Sequence, residues 1–203
     1  DKTRLDKDIK KKLLSKKIWC ASSTHYNEEK ICAEVHKKLK PKYKNLLTII
    51  IPRHVHRAQK IENELHKLNL KVHMHDSKKK LDPQTDIYLV NSFGQTKSFF
   101  KFCKTIFLGG SIINHGGQNP LEAVRYGCNV IHGPNVWNFT EIYSLLKKYE
   151  VSNKIMNPDQ LTAKIDKIIN MKIHSKNIEI KIRKLGYKIL NSTFNEINYF
   201  INR

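Results

Sequence analysis

Short apolar runs and longer amphipathic stretches alternate along this chain, one pair about every 25 residues. The runs at residues 18–22, 46–51, 71–75, 86–90, 105–108 and 128–132 are rich in the β-branched and aromatic residues of strands. Residues 46–51, Leu-Leu-Thr-Ile-Ile-Ile, form a continuous run of the kind found in parallel sheets covered on both faces. Apolar residues recur with helical spacing from Asn27 to about Lys40, where Pro41 ends the unit, and over 55–68 with Ile61, Leu65 and Leu68 inward. The same spacing returns over 137–149, 158–171 and 174–202, with shorter helices at 96–103 and after Asn119. Residues 1–17 are a lysine-rich lead-in, expected as a linker or the end of a preceding element; Lys78-Lys79-Lys80 and Asp82-Pro83 are expected as a loop. Alternating strands and helices predict an α/β domain over residues 18–172, a doubly wound and mostly parallel sheet, followed by a long C-terminal helix over 173–203.

In such sheets a ligand sits outside the carboxyl ends of the strands. Four polar segments fall on that edge, residues 22–28, 52–57, 91–96 and 109–122. The last is the richest. Gly109-Gly110-Ser111 ends a buried strand, Gly116-Gly117 follows, and Asn119-Pro120-Leu121-Glu122 has the make-up of a helix start, with Asn119 as cap and Pro120 first in the helix. Glycine turns at a helix start let backbone N–H groups approach an anion. Gly110, Ser111, Gly116, Gly117 and Asn119 are therefore candidates to hold phosphate oxygens, and Glu122 to accept from ribose hydroxyls. The structural alternative is a βαβ turn whose glycines only satisfy φ > 0 and whose Glu122 only completes a capping box. The spacing is neither GxGxxG nor GxxxxGK[ST], which disfavours a dinucleotide fingerprint and a P-loop.

Arg53, directly after a buried strand, offers a fixed charge and a planar fork suited to phosphate or carboxylate, with His54 and Arg57 as further donors. Its structural alternative is an arginine that covers the sheet edge or pairs with Glu28 or Glu29. Ser23, Thr24 and His25 supply hydroxyl and imidazole donors, or else cap the helix that opens at Asn27. No nucleophile–base pair and no spaced pair of carboxylates is present, so this edge reads as a binder of a charged ligand, not as the home of a general base.

A net charge of +20, almost all from lysine, suits anionic partners: nucleic acid, an anionic membrane surface or a charged small molecule. The lysines are spread over every predicted helix and no nucleic-acid-binding signature is present, so nucleic acid is not expected as a partner. Cys20, Cys32, Cys103 and Cys128 are far apart without a CxxC and read as buried reduced thiols. The pairs His54/His56 and His73/His75 lack acidic or cysteine partners at metal spacing, so no metal site is expected. No run approaches the ~20 apolar residues of a transmembrane helix, and no signal peptide is visible. The chain opens on Asp1, not Met, and is expected to be a fragment, a processed chain or a trimmed piece of a longer one.

The segments WCASSTHYNEE, IIIPRHVHR, FLGGSIINHGGQNPLEAV and GPNVWNFTEI resemble, in order and spacing, the C-terminal half of the 3-deoxy-D-manno-octulosonic acid (Kdo) transferases, over roughly residues 18–170. The resemblance implies a GT-B glycosyltransferase, two Rossmann-like domains facing a cleft, of which this chain is the donor-binding one. It implies CMP-Kdo as donor and a lipid A precursor as acceptor, in lipopolysaccharide biosynthesis at the cytoplasmic face of a Gram-negative inner membrane. It further implies inverting displacement, no metal and no cofactor beyond the donor substrate. The general base, a glutamate, is implied to lie in the N-terminal domain, so no catalytic residue and no transferase activity are expected here. Carried over by position, Ser23, Thr24, His25, Glu28, Arg53, His54, Gly110, Ser111, Gly116, Gly117, Asn119 and Glu122 are the donor-site candidates, and Arg57 and Gly94 lie in the same segments. The chain departs from the family at Asn91-Ser92-Phe93-Gly94-Gln95-Thr96, where an acidic Asp-Thr-x-Gly-Glu-Leu type of segment is usual, and so loses carboxylates that would touch cytosine or ribose. The final helix is expected to cross back and brace the other domain, its apolar stripe partly exposed. Two further functions fit: another GT-B transferase using a UDP- or GDP-sugar, and a basic α/β module binding nucleic acid or anionic lipid.

Overall fold

The computed structural model describes residues 5–76, 80–171 and 175–201. Among them runs one sheet of seven strands: β1 (Lys17–Thr24), β2 (Leu46–Pro52), β3 (Val72–Met74), β4 (Ile87–Leu89), β5 (Thr105–Leu108), β6 (Asn129–His132) and β7 (Ser152–Lys154). Every pairing is parallel and the order is β3-β4-β2-β1-β5-β6-β7. The helices are α1 (Lys7–Leu14), α2 (Glu28–Leu39), α3 (Ala58–Lys67), α4 (Thr96–Phe100), α5 (Leu121–Arg125), α6 (Thr140–Lys148), α7 (Pro158–Ile168) and α8 (Ser175–Ile201).

Strand side chains alternate between two cores. Cys20, Leu47, Ile49, Tyr88, Ile106 and Val130 enter one, with Leu13 of α1, Phe99 of α4, Val124 of α5, Leu146 of α6 and Ile182 of α8. Trp19, Ala21, Ile50, Leu89, Phe107 and Ile131 enter the other, with Val35 of α2, Leu65 of α3 and Ile165 of α7. Covering on both faces is why residues 46–51 read as unbroken apolar sequence. All four cysteines are buried free thiols, as expected.

β7 is a strand that the pattern does not announce: Ser-Asn-Lys has no apolar alternation, and its anchors, Val151 and Ile155, lie just outside it. The lead-in contains α1, which Asp6 caps and Leu13 fastens to the core. α4 ends at Phe100, short of Cys103, and residues 55–57 and 137–139 are 3₁₀ turns preceding their helices. Of the expected loop, Lys80, Asp82 and Pro83 lie within the described residues, and of the final helix residues 175–201 do. That helix buries only Ile182 and Leu185 and leaves Tyr187, Leu190, Phe194, Ile197, Phe200 and Ile201 exposed. From β1 the chain winds outward through β2 to β3, steps back to β4, then crosses to β5 on the other side of β1 and winds the opposite way. The connections after β1 and β5 therefore part in opposite directions, leaving a crevice at their carboxyl ends, the switch point where ligands sit in open α/β sheets.

Candidate functional site

The floor of that crevice is a buried carboxylate. β1 runs through a register shift between Ser22 and Thr24, and Ser23 and Asn27 take left-handed backbone angles (φ 57° and 72°), costly for non-glycine residues. This tight turn swings the start of α2 beneath the turn after β5. Glu28, fully buried, there accepts the backbone N–H groups of His25 (3.0 Å), Gly110 (2.6 Å), Ser111 (3.1 Å) and Ile112 (3.1 Å). The glycine turn is thus an anion nest of the expected kind, and the anion in it belongs to the protein. Gly109 is obligatory: a Cβ there would stand 2.4 Å from the Ser23 carbonyl oxygen and 2.7 Å from Glu28 Oε2. Ser111 is buried too, its hydroxyl donating to the Leu108 carbonyl and accepting the Gly133 N–H. The N–H groups of Gly110 and Ser111, expected to hold phosphate oxygens, are therefore spent on Glu28.

Glu29 is the second buried carboxylate. It accepts the Thr24 hydroxyl at 3.0 Å and both arms of the Arg57 guanidinium, at 3.0 and 3.1 Å. Burial raises the Glu29 pKa and the Arg57 and Thr24 hydrogen bonds work against that rise. So Arg57, not Arg53, makes the internal ion pair, and Thr24 braces the second acidic residue in place of capping the helix. Arg53 donates its backbone N–H to the Thr24 carbonyl at 3.0 Å, stitching the ends of β1 and β2 together, while its side chain is exposed.

Above this floor stand imidazoles. The His25 ring lies 3.9 Å from that of His115 and 5.8 Å from that of His54, and His54 is 5.6 Å from His56. His25 is held down to about pH 4 by burial first, then by the neighbouring His115, His54, Arg57 and Arg53. Gln118 Nε2 approaches His25 Nε2 at 3.3 Å, an amide donor on a neutral imidazole. Among the described residues no three of His, Cys, Asp and Glu are placed to share a metal ion.

The second glycine pair folds back onto the first, the Gly117 N–H donating to Gly110 oxygen at 2.8 Å. Gly116 (φ 94°) makes room for a neighbour: a Cβ there would strike Asn138 Nδ2 at 2.2 Å and Trp137 Nε1 at 2.9 Å. The helix that follows starts at Leu121, one residue later than expected. Pro120 is its cap residue, while the Asn119 side chain receives the Leu121 N–H at 3.0 Å. Glu122 closes no capping box; it is half-exposed with Lys97 Nζ 3.9 Å away. Thus Ser23, Thr24, His25, Glu28, Arg53, His54, Arg57, Gly110, Ser111, Gly116 and Gly117 come together. Asn119 and Glu122 lie at the start of α5, and Gly94 lies in the turn before α4, where a Cβ would meet nothing within 4 Å. His115, Gln118 and Trp137 escaped the sequence reading. His115 was signalled only by its place between two glycine pairs, and Trp137 only by lying in a quoted motif.

An all-parallel, doubly wound sheet with a long C-terminal helix is the fold of GT-B C-terminal domains. The crystal structure of the C-terminal CMP-Kdo binding domain of WaaA from Acinetobacter baumannii superposes with a TM-score of 0.77 at 21% identity, covering 87% of this chain and 96% of that one. In sequence, the 3-deoxy-D-manno-octulosonic acid transferase of Haemophilus influenzae is 28% identical over 173 residues, 85% of this chain and 40% of the relative. The probable mitochondrial 3-deoxy-D-manno-octulosonic acid transferase of Arabidopsis thaliana is 33% identical over 144 residues, 70% of this chain and 32% of the relative. No family model matches the chain. The chain is a relative of the Kdo transferases, and it spans two fifths or less of the length of these two.

Proposed function

We propose that this chain is the donor-binding half of a Kdo transferase, holding CMP-Kdo in the crevice between the ends of β1, β2 and β5. The observation that carries this is the separation of charge at that edge. Both acidic side chains under it, Glu28 and Glu29, are buried and satisfied, while Arg53, His54 and His115 are exposed around the His25 ring. Such a site favours an anionic ligand, and the relatedness to Kdo transferases makes a cytidine monophosphate sugar the first candidate.

In this proposal the chain's own residues bind and orient the donor. Arg53 and the imidazoles balance its charge, the Gly116-Gly117 turn sets the depth of the crevice beside Trp137, and Glu122 with Asn119 lies toward the nucleoside end. The general base is assigned to a second domain outside these residues, with inverting, metal-independent transfer to a lipid A precursor at the cytoplasmic face of the inner membrane. The exposed apolar stripe of α8 supports bracing against that domain, and the charge of +20 supports work beside an anionic membrane. No described helix is long and apolar enough to cross one.

Calorimetric titration with CMP tests the proposal. Binding is expected, competing UDP should be the weaker ligand, and Arg53→Ala should weaken CMP binding by about 1–3 kcal/mol, the range for losing a charged hydrogen-bond donor. No response at millimolar CMP would exclude it, and preference for UDP would redirect it to another GT-B transferase.

A further inference from the structure

Many of the donors that an anion would ordinarily use at this switch point are already taken. The N–H groups of His25, Gly110, Ser111 and Ile112 go to Glu28, that of Gly117 goes to the Gly110 carbonyl, and the Arg57 fork goes to Glu29. The α5 helix is a five-residue turn whose first N–H is taken by Asn119. Beside these engaged groups stands the imidazole pair His25 and His115, with His54 and Arg53 near it. We propose that this pair, flanked by Arg53 and His54, is the seat of the ligand's phosphate-type oxyanion, and that the anion enters together with a proton.

The proton follows from the geometry. Positive charge on both of two rings 3.9 Å apart is opposed by their repulsion, which a negative group lying against them relieves. The groups facing His25 are His115 from the β5–α5 connection, His54, Arg53 and Arg57 from the β2–α3 connection, and Glu28 and Glu29 from the start of α2. The two carboxylates are already engaged beneath the ring, so the field above it is positive and disfavours imidazolium in the empty site. An oxyanion reverses that field. Gln118 is built to follow: its amide nitrogen donates to neutral His25, and turning the amide over presents an oxygen to the protonated ring. Binding then takes up a proton and strengthens as pH falls through the histidine range.

This inference rests on the nucleotide assignment only for the identity of the ligand, and the experiment separates the two. Sulfate, whose charge is constant between pH 5.5 and 8 (roughly the histidine window), and CMP are titrated into the chain. Histidine ring protons are followed by NMR and heats are measured in buffers of different ionisation enthalpy. The expected result is a twofold to tenfold gain in sulfate affinity per pH unit on acidification. The His25 and His115 signals should move, those of His36, buried on the far edge, should stay, and CMP should bind with net proton uptake. His115→Gln should abolish the uptake while the chain keeps its melting temperature. CMP binding without proton uptake, or with His25 and His115 unmoved, overturns the inference and leaves the nucleotide assignment intact. Sulfate binding with the expected shifts but no CMP binding upholds the oxyanion seat and removes the nucleotide. If neither binds, both fall.

Discussion

The two edges of the sheet handle buried acid in opposite ways. At the amino edge Asp86, just before β4, gathers side-chain donors: Lys40 at 2.9 Å and the His36 imidazole at 3.3 Å, with the Lys71 N–H at 3.0 Å, while the other nitrogen of His36 meets Thr48 Oγ1 at 2.9 Å. Burial opposes the charge on Asp86, yet the hydrogen bonds from His36, Lys71 and Lys40 hold its carboxyl well below the usual range. Every charge there is matched inside the protein. At the carboxyl edge Glu28 is satisfied by backbone N–H groups alone, which uses no cation and leaves the histidines and Arg53 to face the crevice. At this edge only Glu29 draws on a cation, Arg57, so Glu28 can be buried without consuming Arg53 or the histidines.

The largest effect should come from Glu28→Ala, which strands four N–H groups in a dry nest. At about 1–3 kcal/mol for each unsatisfied group, moderated by relaxation, we expect a loss of at least ~3 kcal/mol, roughly 6–12 °C in melting temperature for a chain of this size. CMP binding should go with it, because the turn after β5 loses its shape. Asp86→Asn should cost less, about 1–2 kcal/mol, since its site is partly solvated, and should leave CMP affinity unchanged. If the two variants weaken the ligand equally, the contrast between the edges is wrong.

Acid should sharpen the contrast next. His25 and His132 are both held down to about pH 4, mainly by burial, and His36 is also lowered, burial outweighing the Asp86 hydrogen bond. Each therefore binds its proton more readily in the unfolded chain. Their stability contribution is complete above the unfolded pKa near 6.5 and is lost as pH falls toward 4. A thermal melt series from pH 7 to 5 should show a loss on the order of 1–2 kcal/mol after allowing for partial solvent screening. Saturating sulfate should offset the His25 part of that loss and none of the His36 part.

The sequence made the edge legible but not its wiring. Six strands followed from apolar runs, because burial on both faces leaves no room for alternation; β7 was lost because three polar residues between Val151 and Ile155 carry no such signal. That residues 22–28, 52–57 and 109–122 meet was readable from strand ends alone. That Glu28 fills the glycine nest was not. It needs the left-handed turn at Ser23 and Asn27, where no glycine marks the conformation. The exchange of roles between Arg53 and Arg57 was equally hidden, since two arginines four residues apart offer the same chemistry until the chain's path decides which one meets Glu29.

The smallest effect concerns Glu122 and separates recognition of a nucleoside from attraction of an anion. Its contact with Lys97 at 3.9 Å, both side chains about half-exposed, is the kind of pair that contributes close to nothing, so Lys97→Ala and Glu122→Ala should each leave the melting temperature within about 1–2 °C. Their ligand effects should differ in kind. If Glu122 accepts from a ribose hydroxyl, Glu122→Ala weakens CMP by about 1 kcal/mol and leaves sulfate untouched or slightly stronger, because a nearby negative charge has gone. If Glu122 merely trims the field, CMP and sulfate both tighten together, and Lys97→Ala weakens both. Parallel calorimetric titrations of the two variants with the two ligands decide between these patterns. The first would make Glu122 a nucleoside contact, standing in part for the acidic residues absent from Asn91-Ser92-Phe93-Gly94-Gln95-Thr96.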